Sequence, residues 1–188
     1  MRCTRRSHEE RRDDDEDHGD DAGTRRDAGA VRVEDVYDTD IEDLWQACTT
    51  PERLARWIAQ VSGDLREGGT IHAVFTSTWS GPARIEICDA PHHLLLTTQP
   101  GTDDECEIEA WLTAEELGTR LVLEERGLPV DSLHFHGAGW QVHLEDLARS
   151  LASGRPAHAG GWSAQRPASD WHERWSELTP AYQNRTVG

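Results

Sequence analysis

One stretch, Gly118 to Leu151, limits what this chain can become more than any other. It reads as a strand from Arg120 to Arg126, a break at Gly127-Leu128-Pro129, and a long amphipathic helix from Phe135 to Leu151. Within that helix Trp140, Leu144, Leu147, Ala148 and Leu151 fall at i, i+4, i+7, i+8 and i+11, which places them on one face. The opposite face reads His143, Glu145, Asp146 and Arg149, with Glu145 four residues before Arg149 in the order that favours an ion pair. A helix this one-sided requires a broad apolar surface to lie on.

The preceding residues have the pattern of that surface. Val31 and Val33 alternate with Arg32, Glu34 and Val36, which predicts a half-buried strand from about Ala30 to Tyr37. Asp38 or Thr39 then caps a short helix from Ile41 to Cys48. Thr50-Pro51-Glu52 opens a second helix, with Leu54, Trp57, Ile58 and Val61 as its buried stripe. From Gly63 to Arg126 the pattern turns to short strands separated by Gly- and Pro-containing turns, among them Gly68-Gly69, Gly81-Pro82 and Ala90-Pro91. Residues Ile108, Ala110 and Leu112 alternate there with Glu107, Glu109 and Trp111, so the acids face water and the aliphatic set faces the long helix. The expected order is strand, two short helices, six strands and long helix, an α+β arrangement with the helices on one side of an antiparallel sheet.

Both ends differ from this middle. Residues 1–29 hold 7 Arg and 10 acids with almost nothing apolar, and such a segment cannot offset its ordering entropy by burial, so it is expected to be disordered. Residues 155–168 are rich in Gly, Pro and Ala; Asp170 and Glu173 then make a capping box that opens a short helix. Trp171, Trp175, Leu178 and Tyr182 share one face of it, expected to dock on the sheet or the first helices, or else to meet a second copy or a partner. The expected units are thus a tail (1–29), a domain (30–154) and a C-terminal loop plus helix (155–188).

Charge and composition exclude several functions. The net charge of −17 repels nucleic-acid backbones and anionic membrane surfaces. All 19 basic residues are Arg, so neither Schiff-base nor lysine general-base chemistry is available, and the bias points to a GC-rich, bacterial source. Cys3, Cys48, Cys88 and Cys106 form no Cys-x-x-Cys pair and no zinc spacing; they read as buried thiols of a reducing cytoplasm. No apolar run approaches the roughly 18 residues of a membrane helix. No metal and no cofactor are expected, and no nucleophile elbow, phosphate loop or catalytic carboxylate pair is present.

Four blocks, in this order, resemble one known family. Thr49-x-Pro51-Glu52-x-Leu54-x-x-Trp57 resembles the "T-x-P-E-x-L-x-x-W" helix of the activator of heat-shock-protein ATPase homologues, in the SRPBCC or START-like superfamily. Gly63-Asp64-Leu65-Arg66-x-Gly68-Gly69 resembles its next block, Gly118-Thr119-Arg120-Leu121 its last strand, and Gly139-Trp140-x-x-x-Leu144-x-x-Leu147 its final helix. The resemblance covers about residues 30–153 and implies a helix-grip fold, a curved antiparallel sheet of about seven strands around the long helix. It also implies an elongated apolar cavity between sheet and helix. Activities in the superfamily include lipid or polyketide binding, cyclisation or dehydration, and, for the eukaryotic namesake, stimulation of a chaperone ATPase. That namesake has a further N-terminal domain, for which no room is expected here.

A cavity so placed would draw its wall from Trp57, Ile71, Phe75, Ile87, Leu96 and Ile108, with Leu123, Trp140 and Leu144. Each of these is equally a candidate for plain core packing. Glu125 continues the register of Leu121 and Leu123, so it points toward the helix, where desolvation would raise its pKa and suit it to acid/base work or to anchoring a polar head group. His136 shares a helix face with Trp140. The expected function is non-catalytic binding of a small apolar or amphipathic molecule. The alternatives are a cyclase- or dehydratase-like enzyme using Glu125 and His136 as acid and base, and a co-chaperone-like interaction module using Trp171, Trp175 and Tyr182.

Overall fold

The structure is a computed structural model and describes residues 28–185. Its strands are β1 (Ala28–Tyr37), β2 (Ala59–Gly63), β3 (Thr70–Phe75), β4 (Ser80–Asp89), β5 (His93–Thr98), β6 (Cys106–Glu115) and β7 (Gly118–Pro129). The helices α1 (Ile41–Thr49) and α2 (Pro51–Leu54) follow β1, and α3 (Leu133–Ser153) and α4 (Ser169–Arg185) follow β7. All but the last two residues of the charged N-terminal segment lie outside the described residues, as do residues 186–188.

The seven strands make one antiparallel sheet in the order β1-β7-β6-β5-β4-β3-β2. Short turns force each strand from β2 onward to pair with its successor. The two short helices carry the chain from one edge to the other, and the meander returns until β7 pairs with β1. The curved sheet holds α3 against its inner face, the helix-grip arrangement. Ile71, Ile85, Leu112, Leu121 and Leu123 are buried there with Trp140, Leu144 and Leu147. On the outer face Arg126 binds Glu107, Glu109 and Glu124. Among the described residues no helix is long and apolar enough to cross a membrane.

Local details depart from the sequence reading for identifiable reasons. The cap of α1 is Asp40, which accepts from the Asp43 amide at 2.8 Å; Thr39 instead donates to the Asp43 carboxylate at 2.8 Å. The second helix ends at Leu54, so Val61 belongs to β2. The open edge of β3 competes for that backbone: the Thr76 amide donates to the Ile58 carbonyl at 2.8 Å and Ala59 pairs with Phe75. The register of β4 shifts between Ile85 and Ile87. Such a bulge turns the following side chains to the opposite face, so Cys88 is buried and Ile87 pairs with Leu95 away from the expected wall. Cys48 and Cys106 are free thiols, whereas Cys88 is disulfide-bonded, which corrects the expectation of thiols throughout.

The outer face of α3 is covered too. His143, Asp146 and Ser150 are buried, although the helical pattern assigned the first two to water. The C-terminal segment does this: its helix α4 packs on α3, while the loop before it is tied to β3 and to the turn after α2. Its backbone is tied to the domain by the Ala157 amide on the Arg56 carbonyl (2.7 Å) and the Ala168 amide on the Thr76 carbonyl (3.1 Å). The Trp162 indole donates to the Val74 carbonyl at 3.2 Å. Trp171 packs with Val142, Trp162 and Ala168 in a second apolar cluster. Gly137 lets α4 approach, since a Cβ there would lie 2.6 Å from the Tyr182 ring, whose hydroxyl donates to Gln141 at 2.9 Å. The Trp171, Trp175 and Tyr182 stripe therefore packs toward α3 within the chain.

Candidate functional site: a cleft at the mouth of the grip

A solvent-open cleft of about 1090 Å³ lies where the ends of the strands meet the first turns of α3 and the start of α4. Its walls are strongly aromatic: Phe75, Trp79, Phe135, Trp140, Trp171 and Trp175. A smaller, almost wholly apolar chamber of about 100 Å³ lies deeper in the grip. Phe75, Trp79, Thr98, Ile108 and Trp140 line both, so the two spaces share a wall.

The predicted wall residues divide between them. Trp57, Ile71, Leu96 and Leu123 line the deep chamber; Phe75, Ile108 and Trp140 line both spaces; Glu125 and His136 line the outer cleft. Ile87 lies outside because of the β4 bulge. Leu144 is buried in the core instead, where its carbonyl accepts from the Tyr37 hydroxyl at 3.3 Å.

Glu125 is the polar centre. The strand irregularity falls at Gly127, whose φ of +87° suits glycine, and therefore comes after Glu125 and leaves it in the inward register of Leu121 and Leu123. Only 9% of its surface is exposed. Oε2 accepts from the Trp140 indole at 2.7 Å and from His136 Nδ1 at 2.9 Å. Oε1 has no hydrogen-bond partner among the described residues, yet it is not a buried orphan, so it opens to the cleft. The carboxylate is thus oriented by two ring N–H groups on one side and free on the other.

His143 forms the inner wall. The Trp171 indole, which only donates, meets His143 Nδ1 at 3.2 Å, so the imidazole carries its proton on Nε2. Burial, then the nearby His158 charge, push this histidine down to about 3, so it stays neutral. Nε2 also lacks a protein partner without being a buried orphan, and it presents an N–H to the cleft. Across the cleft, burial pushes the Cys106 thiol up to about 11, reinforced by the charges of Glu125, Asp104 and Glu105. A thiol so held is a poor nucleophile. Among the described residues no three His, Cys, Asp or Glu side chains gather to hold a metal ion.

Thr78 (φ 76°) and Gln99 (φ 49°) adopt the left-handed conformation, and both line the cleft. For a β-branched residue such as Thr this is a costly backbone state, and such states gather at ligand sites.

Sequence reasoning missed Trp79, Phe135, His143, Trp171 and Trp175 as cleft residues. For His143 a signal was present: His136, Trp140, His143 and Leu147 fall at i, i+4, i+7 and i+11, the same face spacing that identified the helix. Trp171 and Trp175 reach the cleft only because α4 folds back on α3, which no local pattern encodes.

Residues 38–152 match the model of the family described as Activator of Hsp90 ATPase homolog 1-like protein. No curated protein matches. Among solved structures, CalU16 from Micromonospora echinospora is similar in its crystal structure at 24% identity, covering 87% of this chain and 98% of that one with a TM-score of 0.65. Its solution structure gives 26%, 81%, 84% and 0.64 in the same order. DynU16, a protein of the dynemicin biosynthetic locus, is similar at 25% identity with a TM-score of 0.63, but the match covers 68% of this chain and only 49% of that one. With more than half of its residues inside the matched span, and with the sheet, grip helix and motif order described above, this chain belongs to the Activator of Hsp90 ATPase homolog 1-like family.

Proposed function

We propose that the protein binds a small amphipathic molecule in the cleft, with its apolar body against the aromatic wall and the deep chamber and its polar end at Glu125, and that it releases this molecule unchanged. The observation that carries this reading is the joining of an apolar space to an oriented carboxylate. The 1090 Å³ cleft lies just above the roughly 300–1,000 Å³ typical of small-molecule sites. The aromatic wall would supply affinity while the oriented Glu125 carboxylate fixes orientation, the division of labour common in small-molecule sites. The likeness to DynU16 adds a natural-product setting to this reading.

Titration with Nile red, an uncharged apolar dye whose emission rises out of water, tests it. Saturable binding at one site is expected, together with its loss in Ile108→Trp, which fills the junction of the two spaces. Absence of saturation, or equal binding by the variant, refutes the proposal.

The contact between His136 and Glu125 also favours a second reading, in which the pair acts as base and acid in a dehydration or cyclisation. Mass spectrometry of the molecule that co-purifies distinguishes the two. A bound molecule that loses one water, or changes its chromatographic retention at constant mass, during incubation with the wild type but not with Glu125→Gln supports catalysis; unchanged mass and retention support binding alone.

A further inference from the structure

The charges around the cleft are one-sided. Asp103, Asp104, Glu105 and Glu125 line it, and no arginine does. The chain has no lysine at all. The three carboxylates of the 103–105 loop are on the rim, while Glu125 lies at depth with one oxygen open to the space. The Cys106 thiol is raised first by burial and then by the charges of Glu125, Asp104 and Glu105, which converge on the same space.

Cleft aromatics meet this field in a specific way. Trp79, Trp140, Phe135 and Trp175 present π faces and edges around the same space, and π faces attract cations. An anionic ligand would face four carboxylates with only the neutral His143 N–H and the other ring N–H groups to receive it. A neutral apolar ligand would leave Glu125 Oε1 desolvated and without a partner, which carries a penalty. A ligand with a positive charge answers both difficulties.

We infer that the molecule held in this cleft is a cation: an apolar body bearing a protonated or quaternary amine, with the amine against Glu125 Oε1 and the aromatic wall. This rests on the cleft being a ligand site at all, as proposed above. The amine replaces water at the open carboxylate oxygen, while Trp140 and His136 keep the other oxygen fixed. The rim acids concentrate cations at the entrance, an effect that salt screens, whereas the contact at Glu125 is within the protein and is screened much less.

The test uses the full chain and three probes of equal chain length: dodecylamine, dodecanol and dodecanoate, each below its micelle-forming concentration. Competition against Nile red at pH 7 gives three affinities. The amine is expected to bind at least about tenfold more tightly than either other probe, as a charge-assisted hydrogen bond in a desolvated site provides. In Glu125→Gln the amine-to-alcohol ratio falls to within about threefold of unity, a loss set by the same charge-assisted bond. In Glu116→Gln, the same charge change at an exposed turn, the ratio is retained. The ratio is independent of the folded fraction, so partial unfolding of a variant does not mask the result. Equal or tighter binding of dodecanol or dodecanoate overturns the cation preference while leaving the ligand site standing. An unchanged ratio in Glu125→Gln overturns the role of Glu125. Failure of all three to displace the dye overturns the ligand site and this inference with it.

Discussion

Replacing His158 by alanine tests whether the C-terminal segment is part of the domain or an appendage. His158 lies in the loop between α3 and α4, 4% exposed, with Nε2 2.6 Å from Asp146 Oδ2 and Nδ1 2.7 Å from Asp170 Oδ1. Both ring nitrogens face carboxylates, so the imidazolium clasps α3 to the first turn of α4. Burial alone would lower this histidine's pKa; the hydrogen bonds and charges of Asp146 and Asp170 outweigh it and hold the pKa above the ordinary value. Removing the ring leaves Asp146, which has no exposed surface, with only its bond from Arg149. Loss of one partner of a buried pair costs about 3–5 kcal/mol. Arg149 and water entering the vacated space should keep the cost near the lower end, roughly 3 kcal/mol. At about 2–4 °C per kcal/mol for a chain of this size, Tm should fall by roughly 6–12 °C. Urea denaturation at pH 7 supplies the free energy. Asp146→Asn in the alanine background should recover at least about 1 kcal/mol, since contacting residues couple by that amount or more. A loss below about 1 kcal/mol, or strict additivity of the two substitutions, would refute the clasp.

Other predictions concern neighbouring contacts. The pKa of His158 is raised by folding, so its stabilisation is complete below the unfolded value near 6.5 and is lost as pH climbs through the folded value; His158→Ala should flatten this alkaline loss. The opposite holds for His143, whose folded pKa is about 3, so stability should decline as pH drops from 6.5 toward 3, and His143→Gln should reduce that slope in denaturation curves taken across the range. Gly137→Ala should lower stability by about 1 kcal/mol in spite of the better helix propensity of alanine, because its Cβ meets the Tyr182 ring. In a Tyr182→Ala background the same substitution should instead stabilise by roughly 0.5–1 kcal/mol, and a stabilising effect in both backgrounds would remove the close-packing explanation for this glycine.

The antiparallel meander and the grip helix were legible because their signals are periodic, whereas the pairing of β1 with β7 was not read from the sequence. Strand alternation from Ile71 to Arg126 and the i, i+4, i+7 run from Trp140 to Leu151 each repeat several times, so a single irregular residue does not hide them. Single-residue events were not legible. The bulge that turns Ile87 away from the cavity wall alters a register without altering composition. The shortening of α2 comes from competition with a sheet edge that exists only in three dimensions. The second wall over α3 required knowing where α4 lands, and this is why His143 and Asp146, polar by pattern, are core by position. Glu125 could be placed because the only irregularity in its strand lies on its far side.

The central claim is that the cleft between grip helix and strand ends is where a ligand sits, and the eight tryptophans report on it directly. Trp79, Trp140, Trp171 and Trp175 line the cleft, Trp45 is in the core away from it, and Trp111 stacks on His93 of the outer face. Indole N–H resonances in a 15N spectrum, followed during titration with dodecylamine, separate these groups. Saturable shifts at Trp79, Trp140, Trp171 and Trp175, with Trp45 and Trp111 unmoved, are the predicted result. Shifts confined to Trp111, or spread evenly over all eight, would contradict the account.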